Sequence, residues 1–255
     1  MNEIKKRAVF LDFDGVLFDS VKEAYCVLMI ALGRALDISG VNLEAPHFQE
    51  FHRYRFLIGP AWNYYYLFSL IDEKLDHPSL DLESAFRNAT RNPDPDKHSA
   101  FEKIFFNTRN ICRETDFNNW LSLITPYAFV NSLRSLVKVH PEKFFLITTR
   151  DRESVLQVLR VHHLDFCEES VFGKEKYEIF NSKRNIIRHL IDDHQIEESI
   201  FIDDLEDHFV DCGTIEDLLL VQARWGYVAL ERKEDNSARI LQDIENLIQG
   251  KNVWT

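Results

Sequence analysis

A short apolar run near the N-terminus, residues 8–11, ends in Asp12 and is followed by a second carboxylate at Asp14 and by Gly15. The run has the length and the β-rich content of a strand that is buried on both faces of a sheet. In open α/β sheets, ligands bind at the carboxyl ends of such strands. Two carboxylates there can hold a divalent cation through oxygen ligands. One of them can also attack a substrate while the other transfers protons.

Further along the chain, apolar segments alternate with helical patterns. The segments typical of strands lie at 144–150, 170–173, 199–204 and 218–222. The helical patterns lie at 152–163, 183–192 and 238–248. Strands that alternate with helices predict a parallel sheet with right-handed crossovers. The predicted fold class is therefore α/β, with a Rossmann-like core.

The long segment between the first two predicted strands has a different character, because it contains helical patterns and no convincing buried strand. Several of these patterns are separated by Pro and Asp clusters and lie at 62–75, 82–90 and 99–113. We therefore predict two domains. Residues 1–19 and 126–255 would form the core, and residues 20–125 would form an all-helical cap domain inserted into it.

The first helix of this insertion has clear start and stop signals. Ser20 and Glu23 have the spacing of a capping box, in which each side chain bonds to the backbone of the other residue. Apolar residues at helical spacing continue as far as Leu36, and Gly40 is predicted to end the helix.

Composition excludes several classes of protein. The 255-residue chain has a formal net charge of -12, whereas binding to a nucleic-acid backbone depends on clustered Lys and Arg. Its 4 cysteines are far apart, which favours reduced thiols over a disulfide framework or a zinc site. We find no signal-peptide pattern and no apolar span long enough to cross a bilayer. We expect a cytoplasmic protein that binds neither nucleic acid nor membranes.

Polar side chains stand at the ends of three predicted strands, and parallel strands would bring them to one edge of the sheet. They are Asp12, Asp14, Thr148, Asp203 and Asp204, and a lysine, Lys183, opens the helix before the last pair. The set offers carboxylates for a cation, a hydroxyl, an ammonium and a nucleophile. These groups match the needs of phosphoryl transfer, where positioning and charge stabilisation carry most of the catalysis.

The same residues resemble the motifs of the haloacid dehalogenase superfamily. The run Asp12-Phe13-Asp14-Gly15-Val16 is similar to its first motif, Thr148 after an apolar strand to the second, and Asp203-Asp204 to the fourth. Trp225-Gly226-Tyr227 is also similar to a segment of its phosphatases. The resemblance covers the stretches 5–19 and 126–230. It implies a Rossmann-like core with a helical cap between the first and second motifs.

The resemblance also implies roles. Asp12 would attack phosphorus and form an aspartyl-phosphate, and Asp14 would protonate the leaving oxygen and then activate water. Mg²⁺ would lie between Asp12, the backbone carbonyl of Asp14, and Asp203 or Asp204. These roles agree with the preference of Mg²⁺ for a few carboxylates together with substrate phosphate.

The resemblance further implies that Thr148 bonds to the phosphoryl oxygens and that a lysine neutralises the developing charge. Lys183 is favoured as this lysine, because it opens an amphipathic helix and has near-family spacing to Asp203. Lys174 is the alternative, because it follows Phe172-Gly173.

Four more residues are candidates for substrate binding. Thr149 and Arg150 follow the second motif, and Arg53 and Arg55 lie upstream of Gly59-Pro60 in the predicted cap. The two cap arginines could form a cationic loop that recognises the substrate, or they could be exposed surface residues.

Asp14 narrows the predicted chemistry. The resemblance implies no acid at this position in dehalogenases and usually a threonine in ATPases, so an aspartate favours a phosphatase or a phosphomutase. We predict a Mg²⁺-dependent phosphatase whose partner is a small phosphorylated metabolite. A phosphomutase with the same core is the nearest alternative. A non-catalytic phosphate-binding or scaffold module is the alternative from another class.

Overall fold

A computed structural model describes residues 5–92, 94–210 and 212–253 of the chain. Over these residues the chain divides into two compact units. The core unit comprises the described residues of 1–19, 126–228 and 232–255, and the helical unit comprises those of 20–125 and 229–231. In sequence, the helical unit therefore interrupts the core unit.

The strands are β1 (Arg7–Leu11), β2 (Phe18–Asp19), β3 (Thr125–Pro126), β4 (Phe144–Ile147), β5 (Val171–Phe172), β6 (Glu198–Asp203) and β7 (Leu218–Gln222). The α-helices are α1 (Val21–Ala31), α2 (Pro46–Arg53), α3 (Asn63–Asp76), α4 (Leu82–Thr90), α5 (Pro95–Thr115), α6 (Phe117–Ser122), α7 (Ala128–Val139), α8 (Arg152–Val161), α9 (Lys174–Phe180), α10 (Lys183–His194) and α11 (Ser237–Ile248).

The core unit is built on a five-stranded parallel sheet with the order β5-β4-β1-β6-β7. β1 lies in the middle, and its residues Val9, Phe10 and Leu11 are fully buried, which explains the unbroken apolar run. Leu11 is in register with Leu146 of β4 and with Ile202 of β6. The residues that follow these three strands therefore meet at one edge of the sheet. The predicted α/β fold class is confirmed.

Packing of α10 against this sheet fixes the start of that helix. Ile186, Ile187 and Leu190 recur at helical spacing and are buried in one cluster with Phe10 and Phe201 of the sheet. Burying an aliphatic side chain of this size contributes about 1.5–3 kcal/mol. The apolar face of α10 thus determines where its first residue, the lysine at position 183, stands.

The helical unit contains α1 to α6. In this unit α1 packs against α2 and α5, α3 packs against α2 and α4, and α5 packs against α6. Its interior is rich in aromatic side chains, among them Tyr25, Phe51, Tyr64 and Phe105. Among the helices of the described residues, none combines the length and the apolar character needed for a membrane span.

The predicted start of the first helix after Ser20 is confirmed, whereas its capping box and its predicted end at Gly40 are wrong. Ser20 stands at the N-cap of α1, but its side chain makes no capping hydrogen bond. Glu23 is instead buried and accepts a hydrogen bond from Arg109 of α5. The helix ends at Ala31, well before position 40, because Gly33 adopts a left-handed φ of 69° that terminates it.

Other predicted elements differ in extent. α4 and β7 have the predicted bounds, whereas β4 stops at Ile147 and the polar residues after it turn towards α8. Four helices that the sequence patterns did not indicate are α2, α6, α7 and α9. No residue of α9 is fully buried, and the partly buried Tyr177 and Phe180 that pack against the core form too short a pattern to predict a helix.

Candidate active site

Two acids and the lysine meet where β1 and β6 end. Asp12 directly follows β1, and its N–H donates to the Ile202 carbonyl of β6 at 3.0 Å, which extends the parallel ladder by one residue. Asp203 is the last residue of β6. The Lys183 ammonium lies 2.8 Å from Asp12 Oδ2 and 2.7 Å from Asp203 Oδ2. The structure thus brings these three predicted residues into one buried ion cluster.

The choice between the two candidate lysines follows from these contacts. Lys183 is the first residue of α10, and Ser182 caps that helix by accepting the N–H of Asn185 at 3.1 Å. The Lys174 ammonium instead pairs with Glu178 on its own helix. Lys183, and not Lys174, is therefore the lysine in contact with Asp12.

Burial and charge shift the pKa of every member of this cluster. Burial raises the pKa of Asp12, and although the Lys183 ammonium lowers that pKa, burial and the charge of Asp203 together outweigh it. Burial alone would lower the pKa of Lys183, but the two carboxylates outweigh it, so the pKa is raised and the ammonium persists. For Asp203, burial is outweighed by His208 and Lys183, so its pKa is held below the usual range.

His208 is a member of the site that sequence reasoning missed. Its Nδ1 lies 2.9 Å from Asp203 Oδ2. A ligand atom of His208 and carboxylate oxygens of Asp12 and Asp203 all lie within 4.8 Å of one another, a grouping that could hold a metal ion. The only signal in the sequence was a histidine in the loop that follows the acid pair.

Asp204 points to a different set of partners from its neighbour. Its Oδ2 accepts the Tyr227 N–H at 2.7 Å. Gly15 packs directly against it, since a Cβ at that position would lie 2.1 Å from Asp204 Oδ2, and Gly15 also has a left-handed φ of 83°. Gly226 faces the same turn, because its Cβ would lie 2.2 Å from the Gly15 carbonyl oxygen. Two glycines thus allow the backbone that follows Asp14 to lie against Asp204.

The second predicted carboxylate, Asp14, pairs with an arginine. Asp14 Oδ1 lies 3.2 Å from Arg150 Nη1, in a pair whose side chains are 17% and 0% exposed respectively. Thr148 directly follows β4 and is buried, and its Oγ1 accepts the Arg150 N–H at 3.2 Å. Thr149, between them, is only partly buried. Arg150 therefore contacts both Asp14 and Thr148, which come from the ends of two different strands.

The two arginines predicted in the cap, Arg53 and Arg55, differ in their exposure to solvent. The Arg53 side chain is 62% exposed and lies 3.8 Å from Glu50. Arg55 is buried within the helical unit, where it donates to the Ile58 carbonyl at 3.0 Å and lies over the Tyr64 ring. Arg55 is thus not the exposed surface residue that was one of the two expectations, and a substrate contact by either arginine stays a prediction.

Comparison with known proteins identifies the fold. No protein-family model and no curated protein matches the chain. Among solved structures, a predicted phosphatase from Clostridium acetobutylicum is 14% identical with a TM-score of 0.55, and the match covers 96% of this chain and 100% of that one.

Two further structures have similar coverage. A haloacid dehalogenase-like family hydrolase from Streptococcus pneumoniae is 15% identical with a TM-score of 0.53, over 96% of this chain and 100% of the other. A predicted phosphoglycolate phosphatase from Haemophilus somnus is 14% identical with a TM-score of 0.56, and the match covers 93% of this chain and 97% of the other. The chain therefore has the haloacid dehalogenase-like fold, and the resemblance noted from its motifs is confirmed at the level of the fold.

Proposed function

We propose that this protein is a Mg²⁺-dependent phosphatase that hydrolyses a small phosphorylated metabolite through an aspartyl-phosphate on Asp12. The observation that carries the proposal is the buried contact of Lys183 with both Asp12 and Asp203 at the end of the central strand. The fold supports it as well, since structures with the same fold are named as phosphatases and hydrolases.

Asp12 has the surroundings of a nucleophile. Its Oδ1 accepts the Phe13 N–H at 2.7 Å, and its Oδ2 contacts the ammonium, so the carboxylate is held at both oxygens. In the first step one of these oxygens attacks phosphorus, and the bond between phosphorus and the leaving oxygen breaks. Lys183 then lies beside the group on which negative charge accumulates.

Asp14 is placed two residues further on and is more exposed than Asp12, as an acid and base that meets both substrate and water must be. In the first step its proton passes to the leaving oxygen. In the second step its carboxylate takes a proton from the water that attacks phosphorus. That attack releases inorganic phosphate, regenerates the Asp12 carboxylate and leaves Asp14 protonated for the next turnover.

The donor set at the sheet edge suits Mg²⁺. Asp12, Asp203 and Asp204 are three buried carboxylates, and Lys183 supplies one positive charge. Mg²⁺ prefers carboxylate and carbonyl oxygens together with substrate phosphate. We propose that Asp12, the Asp14 carbonyl, and Asp203 or Asp204 hold the ion, which when bound would offset charge on the transferring phosphoryl group.

The substrate is assigned by class only. Thr148 would bond to the phosphoryl oxygens from the end of β4. The helical unit would act as the cap that selects the rest of the substrate. We include phosphoglycolate among the compounds to test, because one structure with this fold is named for it.

The test is phosphate release by the purified full chain from an aryl phosphate and from a panel of phosphorylated metabolites. We expect turnover with Mg²⁺, loss of turnover with a chelator, and recovery when Mg²⁺ is restored. Asp12→Asn is the inactive control. Exchange of the phosphoryl group between positions of a substrate, without phosphate release, would favour a phosphomutase. Binding of substrate without either reaction would favour a non-catalytic module.

A further inference from the structure

Arg150 is the most completely buried cation among the described side chains near the sheet edge, and it is not one of the residues that form the Asp12 cluster. Its side chain is 0% exposed. Arg150 Nη1 donates to Asp14 Oδ1 at 3.2 Å, and Arg150 Nε donates to Ser154 Oγ at 3.0 Å. A buried guanidinium is costly unless its partners are well placed, so the position of this one is strongly determined.

The first turn of α8 holds these partners in place. Asp151 caps α8 by accepting the Ser154 N–H at Oδ1, at 2.9 Å. Ser154 Oγ donates to Asp151 Oδ2 at 2.8 Å while it accepts from Arg150. The hydroxyl also lies 3.1 Å from the Asp151 carbonyl oxygen, so Asp151 holds Ser154 in place, and Ser154 in turn holds the guanidinium.

The Arg150 backbone is held as firmly as its side chain. Its N–H donates to Thr148 Oγ1 at 3.2 Å, and its carbonyl accepts the Lys174 N–H at 2.8 Å. Gly173 packs against it so closely that a Cβ there would lie 2.9 Å from the Arg150 carbonyl oxygen. Main chain and side chain of Arg150 are thus both fixed, and Asp14 is the partner at the end of this chain of contacts.

We propose that Arg150 is a positioning residue, which orients the Asp14 carboxylate for proton transfer, and not a ligand of the substrate phosphoryl group. This inference rests on the proposed function. A phosphoryl ligand must present N–H groups to the substrate, whereas this side chain has no exposed surface and directs Nε to Ser154 and Nη1 to Asp14. Asp14 is the partly exposed member of the pair, so an anchor on its inner side restricts the rotamers it can adopt.

The test compares two substrates that differ in how much they need an acid. An alkyl phosphate needs a proton on its leaving oxygen, whereas 2,4-dinitrophenyl phosphate expels a stable anion without one. We expect Arg150→Lys to lower kcat for the alkyl phosphate by about 100-fold, in the range that a positioned acid contributes, and to lower kcat for the dinitrophenyl ester by less than about 10-fold. KM should change by no more than about twofold, because ground-state binding is intact.

A double variant tests whether Arg150 acts through Asp14. If it does, Asp14→Asn with Arg150→Lys should hydrolyse the alkyl phosphate no more slowly than Asp14→Asn alone. Arg152→Met is the matched control, since Arg152 is a neighbouring arginine that donates to the carbonyls of Val171 and Glu168. It should leave both rates at the wild-type value. Thermal unfolding of each variant verifies that the fold persists, and Arg150→Met serves if the lysine variant is unstable.

The outcomes separate the two proposals. Equal loss on both substrates, a raised KM with unchanged kcat, or additive losses in the double variant would overturn the positioning role. Wild-type rates in the Arg150 variants, with Asp14→Asn impaired, would overturn it as well and leave the phosphatase assignment standing. A wild-type chain that hydrolyses neither ester would defeat the proposed function itself.

Discussion

The core unit and the helical unit each bury a cluster of charged side chains, and the two clusters are balanced differently. In the helical unit, the Glu23 carboxylate accepts hydrogen bonds from the Arg109 guanidinium at 2.8 and 3.2 Å and from the Trp120 indole at 3.0 Å. The carboxylate there is held at both oxygens by one guanidinium. In the core unit, a single ammonium on Lys183 contacts the carboxylates of both Asp12 and Asp203.

This difference separates a structural ion pair from a candidate active site. A closed, bidentate pair such as Glu23 with Arg109 satisfies its own charges and fixes the packing of two helices. A cluster with more carboxylates than cations, at the carboxyl edge of a parallel sheet, suits a metal ion and an anionic reaction. Substitutions in each cluster test that contrast.

Replacement of the proposed nucleophile should have the largest effect. Asp12→Asn removes the attacking oxygen, so we expect phosphatase turnover to fall by at least about 1,000-fold, measured as phosphate release. The control is Asp193→Asn, because the Asp193 side chain is 64% exposed on the surface of α10. Residual turnover within about tenfold of wild type would contradict the nucleophilic role.

Removal of the shared ammonium should affect both activity and stability. Lys183→Met leaves two buried carboxylates without their common partner, which should cost about 3 kcal/mol in the free energy of unfolding and lower kcat by about 100-fold. Urea unfolding and steady-state rates measure the two effects. Lys174→Met should change neither by much, because that lysine forms an ion pair with Glu178, whose side chain is exposed on the same helix. Equal losses in the two variants would argue against the selective role of Lys183.

Breaking the ion pair of the helical unit should lower the stability of the protein without changing its catalytic rate. Arg109→Met removes the guanidinium that pairs with the buried Glu23 carboxylate at both oxygens, and we expect about 3 kcal/mol of lost stability with kcat of the folded protein unchanged. A second substitution, Glu23→Gln, should restore part of that stability, because it removes the uncompensated charge. If kcat fell as much in Arg109→Met as in Lys183→Met, the distinction between the two clusters would be lost.

The smallest effect is expected at the support of Arg150. Ser154→Ala removes one hydrogen bond to the guanidinium and one to Asp151, which should lower stability by about 1 kcal/mol. Chemical unfolding gives this value, with Ser135→Ala as the control, since that serine is exposed on α7. A loss no greater than that of the control would indicate that Ser154 does not hold Arg150 firmly.

The sequence predicted those features that depend on local pattern. The apolar residues before Asp12 indicated a central buried strand, and the helical spacing after Lys183 indicated the helix that brings the lysine to the acids. Both predictions rest on the spacing of apolar residues within a single helix or strand, and this spacing can be read directly from the sequence. The extent of α4 and β7 follows from the same kind of signal.

What the sequence did not predict depends on partners far apart in the chain. Glu23 matched a capping box, but its true partner, Arg109, is 86 residues away. Arg150 was predicted as a substrate ligand from its place after the second motif, and its contacts with Asp14 and Ser154 were not predicted. His208 contributes to the cluster only because a loop returns it to Asp203. Local pattern carries no information about such contacts, since tertiary packing creates them.

The most direct measurement is the identity of the residue that becomes phosphorylated during turnover. The reaction is quenched in the steady state and treated with borohydride, which reduces an aspartyl-phosphate to homoserine. Peptide mass spectrometry then locates the homoserine in the sequence. The proposed mechanism predicts the modification at position 12 alone and its absence from Asp12→Asn. Two results would contradict this mechanism if the wild-type chain releases phosphate. One is a modification at another residue, and the other is no modified residue under any quench condition.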